Sequence, residues 1–345
     1  MSTLLNRYVP AHFRSPARLA ARLIRTGDPA ALYAMAAAAG GLAAAPLDLA
    51  MLPWERRGLA AAPSTPRRLL FVCGAPRSGT TVVHQALAAA LPVDRFTNVV
   101  NLFPRSPLTA TRLIGRWLRQ PSSQFRSFYG RTAGLSGLSD ALPIWERYLG
   151  ANSSAAPAPL DQATQAALRQ FFAAWTAAFG MPLVSKCNRL IAAASDVAAA
   201  LPEATIMCLH REPLWHAQSL HRARQQIHGD LQTPYGLAPA ASRDCDDPVE
   251  SVCQQVLYHR QLALRQQEAI GVDRFWIVPY DEFCSDPNRW IARAADALFA
   301  DEASRPPIQS AAPQRVSRKA ALPADVLDRL QSRLAELGLI DDNEP

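Results

Sequence analysis

The stretch Arg68-Leu-Leu-Phe-Val-Cys-Gly-Ala-Pro-Arg-Ser-Gly-Thr-Thr81 constrains the fold more than any other part of the chain. Leu69 to Cys73 is a short, unbroken apolar run, which reads as a strand buried on both faces. It stops at Gly74, and a helical pattern begins after Gly79. A glycine-bounded loop between strand and helix leaves backbone N–H groups unpaired and pointing one way, and the helix N-terminus adds partial positive charge. Such a turn seats a phosphate-like anion. The two glycines have the spacing of the nucleotide loop G-x-x-x-x-G-K-[ST], but Thr80 stands at its lysine position, and the cation, Arg77, sits inside the loop.

The rest of the chain supplies a setting for that loop. Residues 1–66 read as a mostly helical segment ending in the linker Ala62-Pro-Ser-Thr-Pro66. Strand-like runs at 68–73, 182–186, 204–210 and 274–278 then alternate with helical ones, which implies βαβ units and a parallel sheet. The expected fold is α/β, a P-loop-type three-layer α/β/α arrangement over residues 67–345, with a core at about 67–300 and a C-terminal loop and helix at 301–345. Asp161 is placed to cap a helix to Phe179, Pro213 and Pro248 to start helices, an alanine-rich helix to run to Leu201, and Pro323 to open the last helix, stopping at Gly338.

Charge is unevenly spread. The chain carries a formal +7, and the segment Arg95–Ser139 has seven arginines and no acid, interleaved with Phe96, Phe103, Trp117, Phe125, Phe128 and Tyr129. That suits an anionic cofactor, an acidic or lipid-linked acceptor or a membrane surface; the plain alternative is a solvated basic face. No nucleic-acid-binding motif is present. Pro29–Leu47 is uncharged but rich in alanine and glycine, weak for a spanning helix, and it starts too far from Met1 for an ordinary signal peptide. Arg14, Arg18, Arg22 and Arg25 would stripe one helix face, so peripheral membrane contact stands beside the favoured reading, a plain helical subdomain. The six cysteines have no metal or C-x-x-C spacing and read as reduced thiols, which points to the cytoplasm; no metal site is expected.

Three further elements share the loop's position at strand ends or beside it. Leu209-His-Arg211-Glu-Pro213 ends a strand on an arginine and starts a helix, with Ser219 two turns along it; an arginine and a serine so placed can grip one phosphate. Ser185-Lys186-Cys-Asn188-Arg189 also ends a strand, and Val316-Ser-Arg318-Lys319 lies in a late loop. Lys186 and Lys319 are the two lysines in a chain of 34 arginines. An ammonium fits as a compact point charge where a planar guanidinium does not.

Together these motifs resemble those of the PAPS-dependent sulfotransferases, which use 3′-phosphoadenosine 5′-phosphosulfate as donor. Gly-Ala-Pro-Arg-Ser-Gly-Thr-Thr81 looks like the family's 5′-phosphosulfate loop in the arginine form of tyrosyl-protein and many bacterial members. Arg211 with Ser219 matches the 3′-phosphate pair; Lys186 stands 16 residues before Pro202, as the catalytic lysine of the tyrosyl-protein enzymes does; and Val278-Pro-Tyr280-Asp281-Glu282-Phe is similar to the Tyr-Glu-Asp-Leu block. The resemblance covers roughly 67–300 and implies sulfuryl transfer from PAPS to a hydroxyl acceptor (a glycan, lipid, phenol or secondary metabolite), with PAP as product and no metal. It implies that Arg77, Ser78, Gly79, Thr80 and Thr81 hold the 5′-phosphate, that Lys186 stabilises the transferring group, and that Arg211 and Ser219 read the 3′-phosphate. Arg318 and Lys319 resemble the late Arg-Lys-Gly loop of cytosolic members, with Ala320 in place of the glycine.

The acceptor base is not fixed by the resemblance, because the stretch near Thr97-Asn98, where tyrosyl-protein members carry a glutamate, has no acid. Asp140 and Glu146 come next, and Glu146, beside Trp145, is the preferred candidate; His84 is the alternative from the first helix. Two other function classes compete: a P-loop small-molecule kinase or ATPase, which wants a lysine at position 80, and a non-catalytic basic membrane-binding module, which leaves the loop and Lys186 without a task.

Overall fold

The computed structural model describes residues 29–115, 127–128, 131–132, 134–152, 154–300 and 306–341. The arginine stripe at 14–25 and Arg116, Arg119 and Arg126 lie outside them. The strands are β1 (Leu69–Gly74), β2 (Asp94–Arg95), β3 (Ser127–Phe128), β4 (Arg131–Thr132), β5 (Leu183–Lys186), β6 (Ala204–His210) and β7 (Phe275–Pro279). β3 and β4 pair as a small antiparallel ribbon. The other five form one parallel sheet in the order β2-β5-β1-β6-β7.

β1 explains why the sheet has helices on both faces. All six of its residues are buried, and its side chains alternate between two cores. Phe71 and Cys73 join Phe96, Trp145, Phe172 and Trp175 on one side, while Leu70 and Val72 join Val83, Leu87, Met207 and Trp290 on the other. Each fully buried side chain of this size contributes about 1.5–3 kcal/mol, so the central strand is held firmly. From β1 the chain runs out to β2, returns through β5, passes β1 and continues to β6 and β7. That reversal opens a crevice at the carboxyl ends of the strands. Gly74, Lys186, His210 and Pro279 all end strands on this edge.

Local signals set most element ends. The helix Thr80–Ala90 follows the loop, and Asp161 Oδ1 accepts from Thr164 N at 2.8 Å at the head of Gln162–Phe179. Pro213 and Pro248 start their helices, and the last helix is Ala324–Glu336. The run after Lys186 departs from expectation: a 3₁₀ turn, Asn188–Ala193, precedes the α-helix Ala194–Ala200. The tighter turn lets the Asn188 side chain accept from Thr80 Oγ1 at 3.0 Å while Arg189 donates to Leu149 O at 2.9 Å.

The acid-free segment is completed by acids from elsewhere. Helices Pro29–Ala50 and Leu52–Ala60 bring buried Asp48 and Glu55 to the N-terminus of helix Pro107–Ile114. Asp48 Oδ1 accepts from Ser106 N at 2.9 Å, and Glu55 Oε2 from Thr109 N at 2.7 Å. Carboxylates at a helix N-terminus satisfy orphan amides and complement the dipole. Of the segment's aromatics, Phe96 and Phe103 are core residues, not part of a basic surface. No helix among the described residues is long and apolar enough to cross a membrane. All six cysteines are free thiols.

Candidate active site

The loop after β1 depends on its glycines. Gly74 and Gly79 have φ of +142° and +96°. A methyl group at Gly79 would lie 2.2 Å from the Tyr280 ring, and one at Gly74 would lie 2.6 Å from Leu209 O. Arg77 also adopts a left-handed conformation, with φ of 73°. The Ser78 amide and hydroxyl both donate to Ala75 O, at 3.2 and 2.8 Å, so Ser78 closes the turn on itself. The amides of Gly79 and Thr80 have no acceptor among the described residues. The loop is braced from behind by His216, whose Nε2 donates to Pro76 O at 2.9 Å. Burial pushes the His216 pKa down to about 3, so the ring is neutral.

Lys186 ends β5 and pairs in register with Val72 of β1, beside the loop. It is 2% exposed, a buried cation held by two neighbours. Nζ donates to Thr81 Oγ1 at 2.9 Å and faces Asp140 Oδ1 at 2.7 Å. The two loop threonines therefore divide: Thr81 accepts from Lys186, and Thr80 donates to Asn188. His84 lies one turn along the same helix, 1% exposed. Burial, aided by the Lys186 charge, lowers its pKa to about 3, and the ring bonds the backbone of Val184. It is built as a packed helix residue.

The arginine end converges on the same loop. Arg77 Nε donates to Ser219 Oγ at 3.2 Å, across 142 residues of sequence. Arg211 donates through Nη1 to Arg77 O at 3.3 Å and through Nη2 to Ser317 O at 3.2 Å, and its guanidinium lies over the Tyr280 ring at 5.9 Å. Its Nε is buried with no acceptor among the described residues. The late loop lies against this group. Gln218 clamps it with both ends of one amide, donating to Lys319 O at 3.0 Å and accepting from Ala321 N at 2.7 Å. Arg318 is ion-paired with Asp281, and the Lys319 side chain is exposed.

The two carboxylates differ in setting. Asp140 is 28% exposed and paired with Lys186. Glu146 is half-buried on helix Leu142–Leu149, and burial lifts its pKa to about 7, an effect partly offset by Arg189. Glu146 has no ion pair or hydrogen bond among the described residues. Arg77, Lys186, Arg211, Ser219, Thr80 and Thr81 thus gather at one sheet edge, with Arg318 and Lys319 on the loop above Arg211. The sequence reading assigned no role to Tyr280, Asn188 or Gln218. Each adjoins a recognised motif: Tyr280 follows β7, Asn188 comes two residues after Lys186, and Gln218 precedes Ser219. Such an edge can hold an anion with two separated charges and stabilise charge that develops between them.

Residues 70–300 match the model of the sulfotransferase family. Among solved structures the chain is similar to the sulfotransferase STF9 from Mycobacterium avium, with 17% identity and a TM-score of 0.47 over 82% of this chain and 71% of that one. It is also similar to the sulfotransferase STF1 from Mycobacterium tuberculosis H37Rv, with 13% identity and a TM-score of 0.47 over 96% and 93% of the two chains. No curated protein matches.

Proposed function

The chain belongs to the sulfotransferase family, and we propose that it moves a sulfuryl group from PAPS to a hydroxyl acceptor. One observation carries this reading: a buried lysine at the end of β5 donates to the first turn of the helix that follows the anion loop, while the loop's own arginine donates to the serine, and accepts through its carbonyl from the arginine, expected at the far phosphate. The residues fit the donor's two charged ends. The Gly79 and Thr80 amides and Arg77 suit the 5′ end, and the orphaned Nε of Arg211, with Ser219, suits the 3′-phosphate. Burial penalises the Arg211 charge, so an anionic partner there removes a standing cost.

When bound, PAPS supplies a sulfuryl group on a bridging oxygen that departs as part of a phosphate. Positioning and charge stabilisation are then the protein's task, as in phosphoryl transfer. Lys186 offers its ammonium to the oxygen that gains charge. Arg77 and the loop amides hold the 5′-phosphate still, and Arg211 gives preference over ATP, which lacks the 3′-phosphate. Arg318 and Lys319 follow Ser317, whose carbonyl accepts from Arg211, and would add contacts to the donor from the late loop.

Calorimetry with adenosine 3′,5′-bisphosphate (PAP) and with ATP, each with and without Mg²⁺, tests the reading. The expected result is binding of the bisphosphate that does not depend on Mg²⁺, and weaker binding of ATP. Tight, Mg²⁺-dependent ATP binding with no preference for the bisphosphate would favour the kinase or ATPase class and end this proposal.

A further inference from the structure

We infer that Asp140 is the carboxylate that takes the acceptor's proton; the inference rests on the sulfotransfer reading above and names a residue for one of its steps. Among the described residues, two that are not glycine have positive φ: Arg77, inside the anion loop, and Ala141, at 49°. An alanine in the left-handed region costs roughly 1–2 kcal/mol, and such strain persists only where the surroundings over-determine it.

They do so here. Ser139 N donates to Phe96 O at 2.9 Å, and Ala141 N donates to Ser139 Oγ at 3.0 Å. Ser139 Oγ donates in turn to Asn101 Oδ1 at 3.2 Å. Ser139 and Ala141 are buried, and Ala141 precedes the helix Leu142–Leu149 as its cap. Asp140, between two pinned neighbours, is left part-exposed with its carboxylate 2.7 Å from the Lys186 ammonium. Glu146, on the helix that follows, has no ion pair or hydrogen bond with Lys186; the nearby charge that offsets its burial is that of Arg189.

In an in-line transfer the attacking and departing oxygens flank one sulfur. A group that touches Lys186 in the free protein is therefore within reach of the attacking oxygen once Lys186 serves the departing one. The acceptor's O–H proton passes to an Asp140 oxygen as the acceptor oxygen forms its bond to sulfur. The bond from sulfur to the bridging oxygen breaks, and its electron pair leaves with the bisphosphate, facing Lys186. The exposed side of Asp140 then returns the proton to solvent. Exchange of partners couples the two events, since the ammonium releases its carboxylate as the departing oxygen claims it.

Single-turnover release of ³⁵S-sulfate from labelled PAPS to water, the smallest hydroxyl acceptor, tests this with the full chain, with PAP calorimetry in parallel. Asp140→Asn keeps the shape and an acceptor oxygen for Lys186, and its expected effect is a loss of about 10²–10⁴ in rate with PAP affinity within about threefold. Asp140→Ala, supplied with formate, is expected to recover about tenfold or more of its lost rate, because a carboxylate from solution can replace a base but not a brace. The inference is overturned if Asp140→Asn stays within about threefold of the unaltered protein, if formate restores nothing, or if Glu146→Gln loses more rate than Asp140→Asn. If the unaltered protein neither binds PAP nor releases sulfate, the sulfotransfer reading itself fails and takes the inference with it.

Discussion

Lys186 and Lys319 are the chain's two lysines, and the fold treats them in opposite ways. Lys186 is buried at a strand end, gripped by Thr81 and Asp140 before any ligand arrives. Lys319 sits on a loop attached through backbone contacts, with its side chain exposed. A cation fixed in a low-dielectric setting needs little reorganisation when charge develops nearby, and it acts most strongly there. A cation on an exposed stem must first lose rotamer entropy and compete with solvent. The same residue type thus marks a preorganised centre at one end of the sheet edge and an adaptable margin at the other.

The sharpest break in that comparison would come from Lys186→Ala. We expect a rate loss of about 10²–10³ with PAP affinity nearly unchanged, the scale of losing one preorganised charge-stabilising donor. Single-turnover transfer and calorimetry on one preparation check it; loss of affinity with unchanged turnover would mean that Lys186 is a binding residue like its counterpart. Gly79→Ala comes next, because the new methyl would meet the Tyr280 ring at 2.2 Å at a backbone φ of +96°. Denaturant unfolding should show roughly 3 kcal/mol of lost stability from combined overpacking and strain.

Arg211→Ala tests the middle ground between the two lysines. It should weaken PAP by about 10- to 100-fold and ATP far less, the worth of a charge-assisted hydrogen bond or two. Equal weakening of both nucleotides would detach Arg211 from the 3′-phosphate.

Glu146→Gln should alter stability with pH. The folded chain holds this carboxyl at about 7, against 4.5 for the free group, so between those values the folded state binds more protons. Its contribution is full below about pH 4.5 and is lost as pH rises through 7. The substitution should remove a decline of roughly 1–2 kcal/mol, allowing for part-exposure, in melts run across that window. Lys319→Ala should have the smallest effect, about threefold or less in donor affinity; a loss as large as that of Lys186→Ala would erase the distinction between fixed and adaptable cations.

Much of the frame was legible in the linear chain. Short-range rules act within a few residues, so Leu69–Gly74, Thr80–Ala90, Asp161 as a cap and the prolines at 213 and 248 could be read directly. The 3₁₀ turn at Asn188–Ala193 could not, since the partners its side chains meet, Thr80 and Leu149, are far away along the chain. Nor could the burial of Phe96 and Phe103, whose arginine-rich surroundings read as surface. Glu146 drew attention through its neighbour Trp145, yet it is Asp140 that meets Lys186, and no spacing rule relates residues 140 and 186.

The sequence alone determined the parallel α/β frame, the glycine-bounded turn after the first strand and the short roster of cations available near it, because propensity, capping and φ requirements are local properties. Tertiary structure alone decided which of those cations is buried, which carboxylate faces it, and that Arg77 touches Ser219. Those pairings join residues brought together only when the strands align side by side, and burial and electrostatic coupling depend on distance through space, not along the chain.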